Sequence, residues 1–141
     1  MRDHFHIKLT DDTIREISSI GLAHLGDAVY ELLVRAWLCE QGKATGKGLP
    51  RATVEMVKAP AQAARVERIL PLLSEEEMGV FRRGRNAHSG TVPKHADVRD
   101  YRVATGLEAL LGHLYLSGED ARIGELMHLA LQTINESEKE F

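Results

Sequence analysis

Apolar side chains return every three or four positions along most of this chain, and nowhere do they alternate with the period of two that a strand requires. The clearest run extends from about residue 20 to Gln41, with Leu22, Leu25, Val29, Leu32, Leu33 and Ala36 at helical spacing and Gly42 as its stop. A helix of that length spans roughly 33 Å at about 1.5 Å per residue. Its apolar residues spread around much of the circumference, which predicts a central, well-covered element. A second strongly apolar helix is predicted from Val98 to Leu116. Around these two, Thr10-Asp11-Asp12-Thr13 reads as a helix start followed by Ile14 and Ile17. A polar connection runs over 43–48, and short helices are expected near 50–58 and from Pro60 to Leu70. Ser74 with Glu77 three positions on is a capping box for a helix ending near Gly84. Residues 84–98 are the longest stretch without periodicity, and an amphipathic helix over about 120–135 precedes a charged, frayed tail. The expected architecture is an all-α bundle, with residues 1–141 as one domain.

Composition narrows the class. Of 141 residues, 43% are hydrophobic and 28% charged, a globular balance long enough to sustain a core. The single cysteine, Cys39, excludes an internal disulfide framework and is expected to be a buried, inert thiol within Trp37-Leu38-Cys39. The N-terminus lacks the apolar core of a signal peptide, and no run approaches the roughly 20 apolar residues of a membrane span, so the expected compartment is the cytoplasm. A net charge of −3 argues against a general polyanion binder and requires any nucleic-acid affinity to come from a local patch.

Two carboxylates stand where a helix core would not choose them. Asp27 lies in Leu25-Gly26-Asp27-Ala28-Val29 and Glu108 in Leu107-Glu108-Ala109-Leu110-Leu111, inside the two most apolar helices. A carboxylate withdrawn from water needs compensation by a cationic side chain, by hydrogen bonds or by a metal ion. A structural ion pair or a solvated notch satisfies either acid taken alone. Small neighbours, Gly26 and Ala28 beside Asp27 and Gly112 one turn after Glu108, permit a close crossing at which the two acids could face each other. Hard oxygen donors on facing helices suit Mg²⁺, which takes one or two carboxylates and keeps several waters. Glu31 shares the face of Asp27, but pairing with Arg35 at i+4 is its expected role.

Between Arg82 and Arg102 stand Arg82, Arg83, Arg85, Lys94, Arg99 and Arg102 against only Asp97 and Asp100, a basic segment on an acidic body. With Asn86, His88 and Ser89 it offers donors on a glycine-bounded loop. An ordinary solvated charge cluster is the plainer alternative. No aromatic residue lies between Arg82 and Asp100, so base stacking is not expected there, and contact to the backbone of a duplex fits better. His24 and His113 are expected to be packing histidines, since no metal-binding spacing accompanies them.

Leu25-Gly26-Asp27-Ala28-Val29 resembles the signature helix of ribonuclease III catalytic domains, and Ala104-Thr105-Gly106-Leu107-Glu108-Ala109-Leu110-Leu111-Gly112 resembles the second acidic helix of that family. Arg83-Gly84-Arg85-Asn86 with Ser89-Gly90-Thr91 and Pro93-Lys94 looks like the long loop of the Mini subgroup. The likeness covers about residues 18–132. Larger members carry two further acids, at the positions of Ala23 and Thr105 here; the Mini subgroup shares this reduced set.

The resemblance implies a homodimeric, helical ribonuclease III-type endonuclease without a double-stranded-RNA-binding domain. It implies Asp27 and Glu108 as catalytic residues and ligands of Mg²⁺, with Mn²⁺ an accepted substitute, and cleavage of double-stranded RNA to 5′-phosphate products with short 3′ overhangs. Precursor 23S ribosomal RNA is the implied substrate, presented with the help of a ribosomal protein, and Arg83, Arg85, Asn86, Lys94 and Arg99 are the candidate RNA contacts. The rival is a non-catalytic, ribosome-associated RNA-binding protein on the same fold; retention of both acids counts against it.

Overall fold

The computed structural model describes residues 2–42, 49–87 and 97–139, with the backbone alone at Leu49 and over 132–139. Lys94, His88 and His95, together with the connection at 43–48, lie outside the described residues. Among the described residues seven α-helices follow in order: α1 (Asp11–Arg15), α2 (Ser19–Glu40), α3 (Leu49–Val57), α4 (Ala59–Ile69), α5 (Glu75–Asn86), α6 (Val98–Leu116) and α7 (Asp120–Lys139), with a 3₁₀ turn at Leu70–Leu72. No strand occurs among the described residues, and no helix is long and apolar enough to cross a membrane.

Local chemistry sets the boundaries. Thr10, Ser18 and Ser74 accept hydrogen bonds from the first-turn amides of α1, α2 and α5, and Ser74 with Glu77 completes a reciprocal capping box. Asp97 caps α6 through the amides of Arg99 and Asp100. Gly42 and Gly118 adopt φ of 72° and 73°, a conformation open to glycine, just beyond α2 and α6. The last helix continues to Lys139, past the frayed tail expected from residue 135.

Helix α6 is the axis of the bundle, packed against α2, α4, α5 and α7. Tyr30, Val34 and Leu38 of α2 meet Leu107, Leu110, Leu111 and Leu114 of α6, with Val66, Phe81 and Leu126 closing the core. A smaller cluster of Ile14, Leu22, Ala23, Ala109 and Leu116 seals the end near α1.

Helix α2 is covered mainly on one side, whereas its all-round apolar pattern predicted a central, well-covered element. Leu22, Ala23, Gly26, Tyr30, Val34 and Leu38 are buried, whereas Leu25, Val29 and Leu33 are half-buried, Ala36 is exposed and Leu32 keeps 52% of its surface. Cys39 is exposed rather than buried, and His24 is exposed rather than packed, because both fall on the outward side of α2. His113 is half-buried and lies 3.7 Å from Glu76.

An ion pair ties α7 to α5. The guanidinium of Arg122 donates through Nε and NH2 to the two oxygens of Glu77, each at 2.8 Å, and to the Leu72 carbonyl. Arg122 and the Ser74 amide hold the Glu77 carboxyl down at about 2.

Candidate active site

The acidic site is made by a backbone-to-backbone crossing of α2 and α6. A Cβ added to Gly26 would sit 1.6 Å from the carbonyl oxygen of Glu108 and 2.9 Å from the amide nitrogen of Gly112. One added to Gly112 would sit 2.1 Å from the carbonyl oxygen of Leu22. No side chain larger than hydrogen fits at either position. The residue after Gly26 and the residue one turn before Gly112 are therefore brought together, and these are Asp27 and Glu108.

Their environments differ. Asp27 is exposed, contrary to the interior position its apolar context suggested, because it lies on the outward rim of α2. Glu108 is half-buried. Burial, then the hydrogen bond and the charge of Asp27, push the Glu108 carboxyl up to about 9, with the Gln62 side chain pulling weakly the other way. At neutral pH the Glu108 carboxyl group thus keeps its proton. Among the described residues neither acid forms an ion pair, so a neighbouring arginine does not neutralise them. Glu31 is separately engaged, 3.4 Å from Arg35 as the i+4 spacing predicted.

Beneath the pair is a polar layer that sequence reasoning missed. Gln62 and Arg65 of α4 are 3% and 8% exposed. The Gln62 Nε2 donates to the Val57 carbonyl at 2.8 Å. The Tyr30 hydroxyl, fully buried, donates to the Met56 carbonyl at 3.0 Å, and the Arg65 guanidinium donates to both the Tyr30 oxygen and the Met56 carbonyl. These carbonyls belong to the last turn of α3, so side chains of α2 and α4 satisfy groups that a helix end leaves open. The available signal was phase. Gln62, Arg65, Val66 and Ile69 fall at i, i+3, i+4 and i+7, the core-facing stripe of α4, where polar residues are out of place.

The positions where larger relatives of the resembled family carry further acids are otherwise employed. Ala23 is buried in the small cluster near α1, and the Thr105 hydroxyl donates to the Tyr101 carbonyl at 2.9 Å. Among the described residues no group of three or more His, Cys, Asp or Glu gathers to hold a metal. The acidic site is a pair of hard oxygen donors with an amide behind it, a set that fits a divalent cation retaining much of its water.

The basic candidates divide between two clefts. Arg85, Asn86, Arg99 and Arg102 line one between α4, α5 and α6, together with Glu67 and Asp100. There the Arg85 guanidinium lies 5.8 Å from the Phe81 ring centre, and its Nε donates to the Asn86 Oδ1 at 3.3 Å. Arg83 lines another cleft with Arg15, Ser19, Glu76 and His113. The structure thus brings Arg85, Asn86 and Arg99 together, adds Arg102 to them, and sets Arg83 apart.

A further groove is apolar. Leu25, Ala28, Val29, Leu32 and Leu33 of α2 form one wall, facing Phe5, Tyr115 and Ile123. This is a helix face that the intramolecular core covers only in part, with Leu32 half exposed.

The sequence profile described as "Ribonuclease III domain" matches residues 21–119. The chain is similar to "Mini-ribonuclease 3" of Thermoanaerobacter sp. (strain X514), with 48% identity over 128 residues covering 91% of this chain and 90% of that protein. It is also similar to "Mini-ribonuclease 3" of Staphylococcus aureus (strain NCTC 8325 / PS 47), with 33% identity covering 89% and 96%. The X-ray crystal structure of a protein from Fusobacterium nucleatum superposes with a TM-score of 0.76 at 30% identity, covering 84% of this chain and 97% of that one.

Proposed function

The chain belongs to the ribonuclease III domain family and is an endoribonuclease; from that premise we propose that it cuts double-stranded RNA at the Asp27–Glu108 pair, using Mg²⁺, as a cytoplasmic homodimer. Precursor 23S ribosomal RNA is the proposed substrate, with a ribosomal protein helping to present it and Mn²⁺ able to replace Mg²⁺. The observation that carries this reading is the pair itself: two carboxyl groups forced together at a glycine crossing, with no cationic side chain against them among the described residues.

The pair fits the cation through its oxygens. Asp27 and Glu108 would hold it directly or through its waters. When bound, such an ion supplies charge stabilisation at a scissile phosphate and lowers the pKa of an attacking water. Asp27, exposed at the rim, faces the side from which RNA can approach, while Glu108, anchored deeper against Gln62, fixes the depth of the site. Arg83, Arg85, Asn86, Lys94 and Arg99 are the proposed contacts to phosphate oxygens, which position a duplex without reading its sequence.

The apolar groove supports the dimer. An uncovered apolar strip along a central helix marks an interaction face, and a two-fold copy is the commonest way to cover one. Asp27 and Ala28 are adjacent and both exposed on α2, so a copy seated on this face would set two acidic pairs near one another, one for each strand. The test is cleavage of duplex RNA with Mg²⁺. Wild type is expected to give discrete fragments. Asp27→Asn and Glu108→Gln are expected to lower the rate by about 10³-fold, the loss of several kcal/mol of charge stabilisation, with helix content and duplex binding retained. Cutting by Asp27→Asn at the wild-type rate would remove the pair from the mechanism.

A further inference from the structure

Gln62 presents a neutral amide to the acidic pair from the interior side. Its side chain is buried on α4, and Nε2 donates to the Val57 carbonyl at 2.8 Å, which fixes its orientation. The same side chain is near enough to the Glu108 carboxyl group to favour its charged form. Reversing the amide would set an oxygen against the Val57 carbonyl, so the assignment is chemically determined. That leaves Oε1, which is buried and has no hydrogen-bond partner among the described residues. Buried acceptors in folded proteins are almost always satisfied by protein or by water, and an unpaired one on a side chain that interacts with Glu108 points to a water of the acidic site.

We propose that Gln62 is a positioning residue of the acidic site, holding the Glu108 carboxyl group toward Asp27 through Nε2 and accepting a hydrogen bond at Oε1 from the water shell of the bound cation. The inference rests on the reading of Asp27 and Glu108 as cation ligands. Its physical basis is that a site with only two charged ligands depends heavily on their orientation, and outer partners of ligating carboxylates supply it. Anchorage on the Val57 carbonyl is what makes the amide rigid: it is braced across the α3–α4 junction rather than hanging from one flexible side chain.

The test separates this role from simple bracing of α4. Mn²⁺ affinity is measured without RNA, from the electron paramagnetic resonance signal of free Mn²⁺, for wild type, Gln62→Met and Gln62→Leu. Either folded variant is expected to bind Mn²⁺ about tenfold more weakly, as removal of an outer-shell partner typically does, with kcat reduced and KM for duplex RNA unchanged. Val80→Ala, a core truncation on α5, supplies a destabilised control expected to keep wild-type Mn²⁺ affinity. Wild-type Mn²⁺ affinity in a folded Gln62 variant would overturn the proposal, as would an equal weakening in the Val80 control. Asp27→Asn distinguishes the levels: if it leaves Mn²⁺ binding intact the cation-site reading itself fails, and if it abolishes binding while Gln62→Met does not, only the role of Gln62 fails.

Discussion

Gly26→Ala tests whether the acidic site is built by backbone contact. In an open helix the change is favourable, since alanine exceeds glycine in helix propensity by about 1 kcal/mol. Here the new Cβ would lie 1.6 Å from the Glu108 carbonyl oxygen, and reaching ordinary contact means parting α2 and α6 by about 1.5–2 Å. Both neighbours are backbone, so no side chain can swing aside. Overpacking of a tight core costs about 1–3 kcal/mol and sometimes more, and this case belongs at the upper end. After the propensity gain is subtracted, a net loss of about 2 kcal/mol remains, equivalent to a fall of roughly 6–8 °C in Tm for a chain of this size.

The effect on catalysis should exceed the effect on stability. Displacing a reacting group by about 1 Å can cost about 10²-fold in rate, and the required separation moves Asp27 away from Glu108 by more. Thermal melts by circular dichroism and single-turnover cleavage of a duplex, at a temperature where the variant is folded, measure the two effects. Gly79→Ala is the control: its Cβ would meet only the tip of the Arg83 side chain, at 3.3 Å, and a rise in Tm of a few degrees is expected from a gain of about 0.5–1 kcal/mol. If Gly26→Ala also melts at or above wild type and cuts at full rate, the helices do not touch as described.

Glu77→Gln should reshape the acid limb of stability. A carboxyl held at about 2 against an ordinary value near 4.5 contributes about 3 kcal/mol above pH 4.5, lost as pH falls from about 4.5 to 2. The variant should be less stable by that amount at pH 7 and nearly insensitive to pH in that window, and denaturant melts at several pH values check both. Arg85→Gln and Arg99→Gln should each weaken binding to all duplex sequences alike and reduce the slope of log affinity against log salt by about 0.9; an unchanged slope removes that residue from the phosphate contacts. Leu32→Glu sets a charge on the apolar groove and should yield monomers in sedimentation, and a dimer of undiminished affinity would place the interface elsewhere.

Element boundaries were legible because they are written in local chemistry. Thr10 and Ser74 before their helices, Gly42 after α2 and the apolar run from Val98 to Leu116 each act within a turn or two, and the structure keeps them. The covered face of α2 was not legible, for an equally physical reason. A helix apolar on most sides offers several equivalent stripes, and the spread of Leu22, Leu25, Val29, Leu32, Leu33 and Ala36 does not choose among them. The choice is made by Gly26 and Gly112, whose missing side chains draw α2 and α6 together on one side. Small residues carry little weight in a hydrophobic pattern, although here they decide which face turns inward. Cys39 and His24, expected to be buried and packed, fall on the uncovered side of the same helix.

The same contact explains why the acids could be noticed in sequence while their relation could not. An aspartate within Leu-Gly-Asp-Ala-Val is anomalous wherever it points, but adjacency to a residue 81 positions away is a property of the crossing. Adjacency brings its own difficulty, because two carboxyl groups side by side, one half-buried, oppose each other's ionisation. The pair meets this by keeping Glu108 protonated beside Asp27. The helices cannot separate without opening the core of Tyr30, Val34, Leu107 and Leu111 that their approach completes. Packing therefore keeps the two carboxyl groups side by side whatever their protonation, and on the proposed reading a divalent cation takes the place of the proton. A two-acid site remains workable on this account because the glycines and the buried amide supply rigidity that additional ligands would otherwise provide.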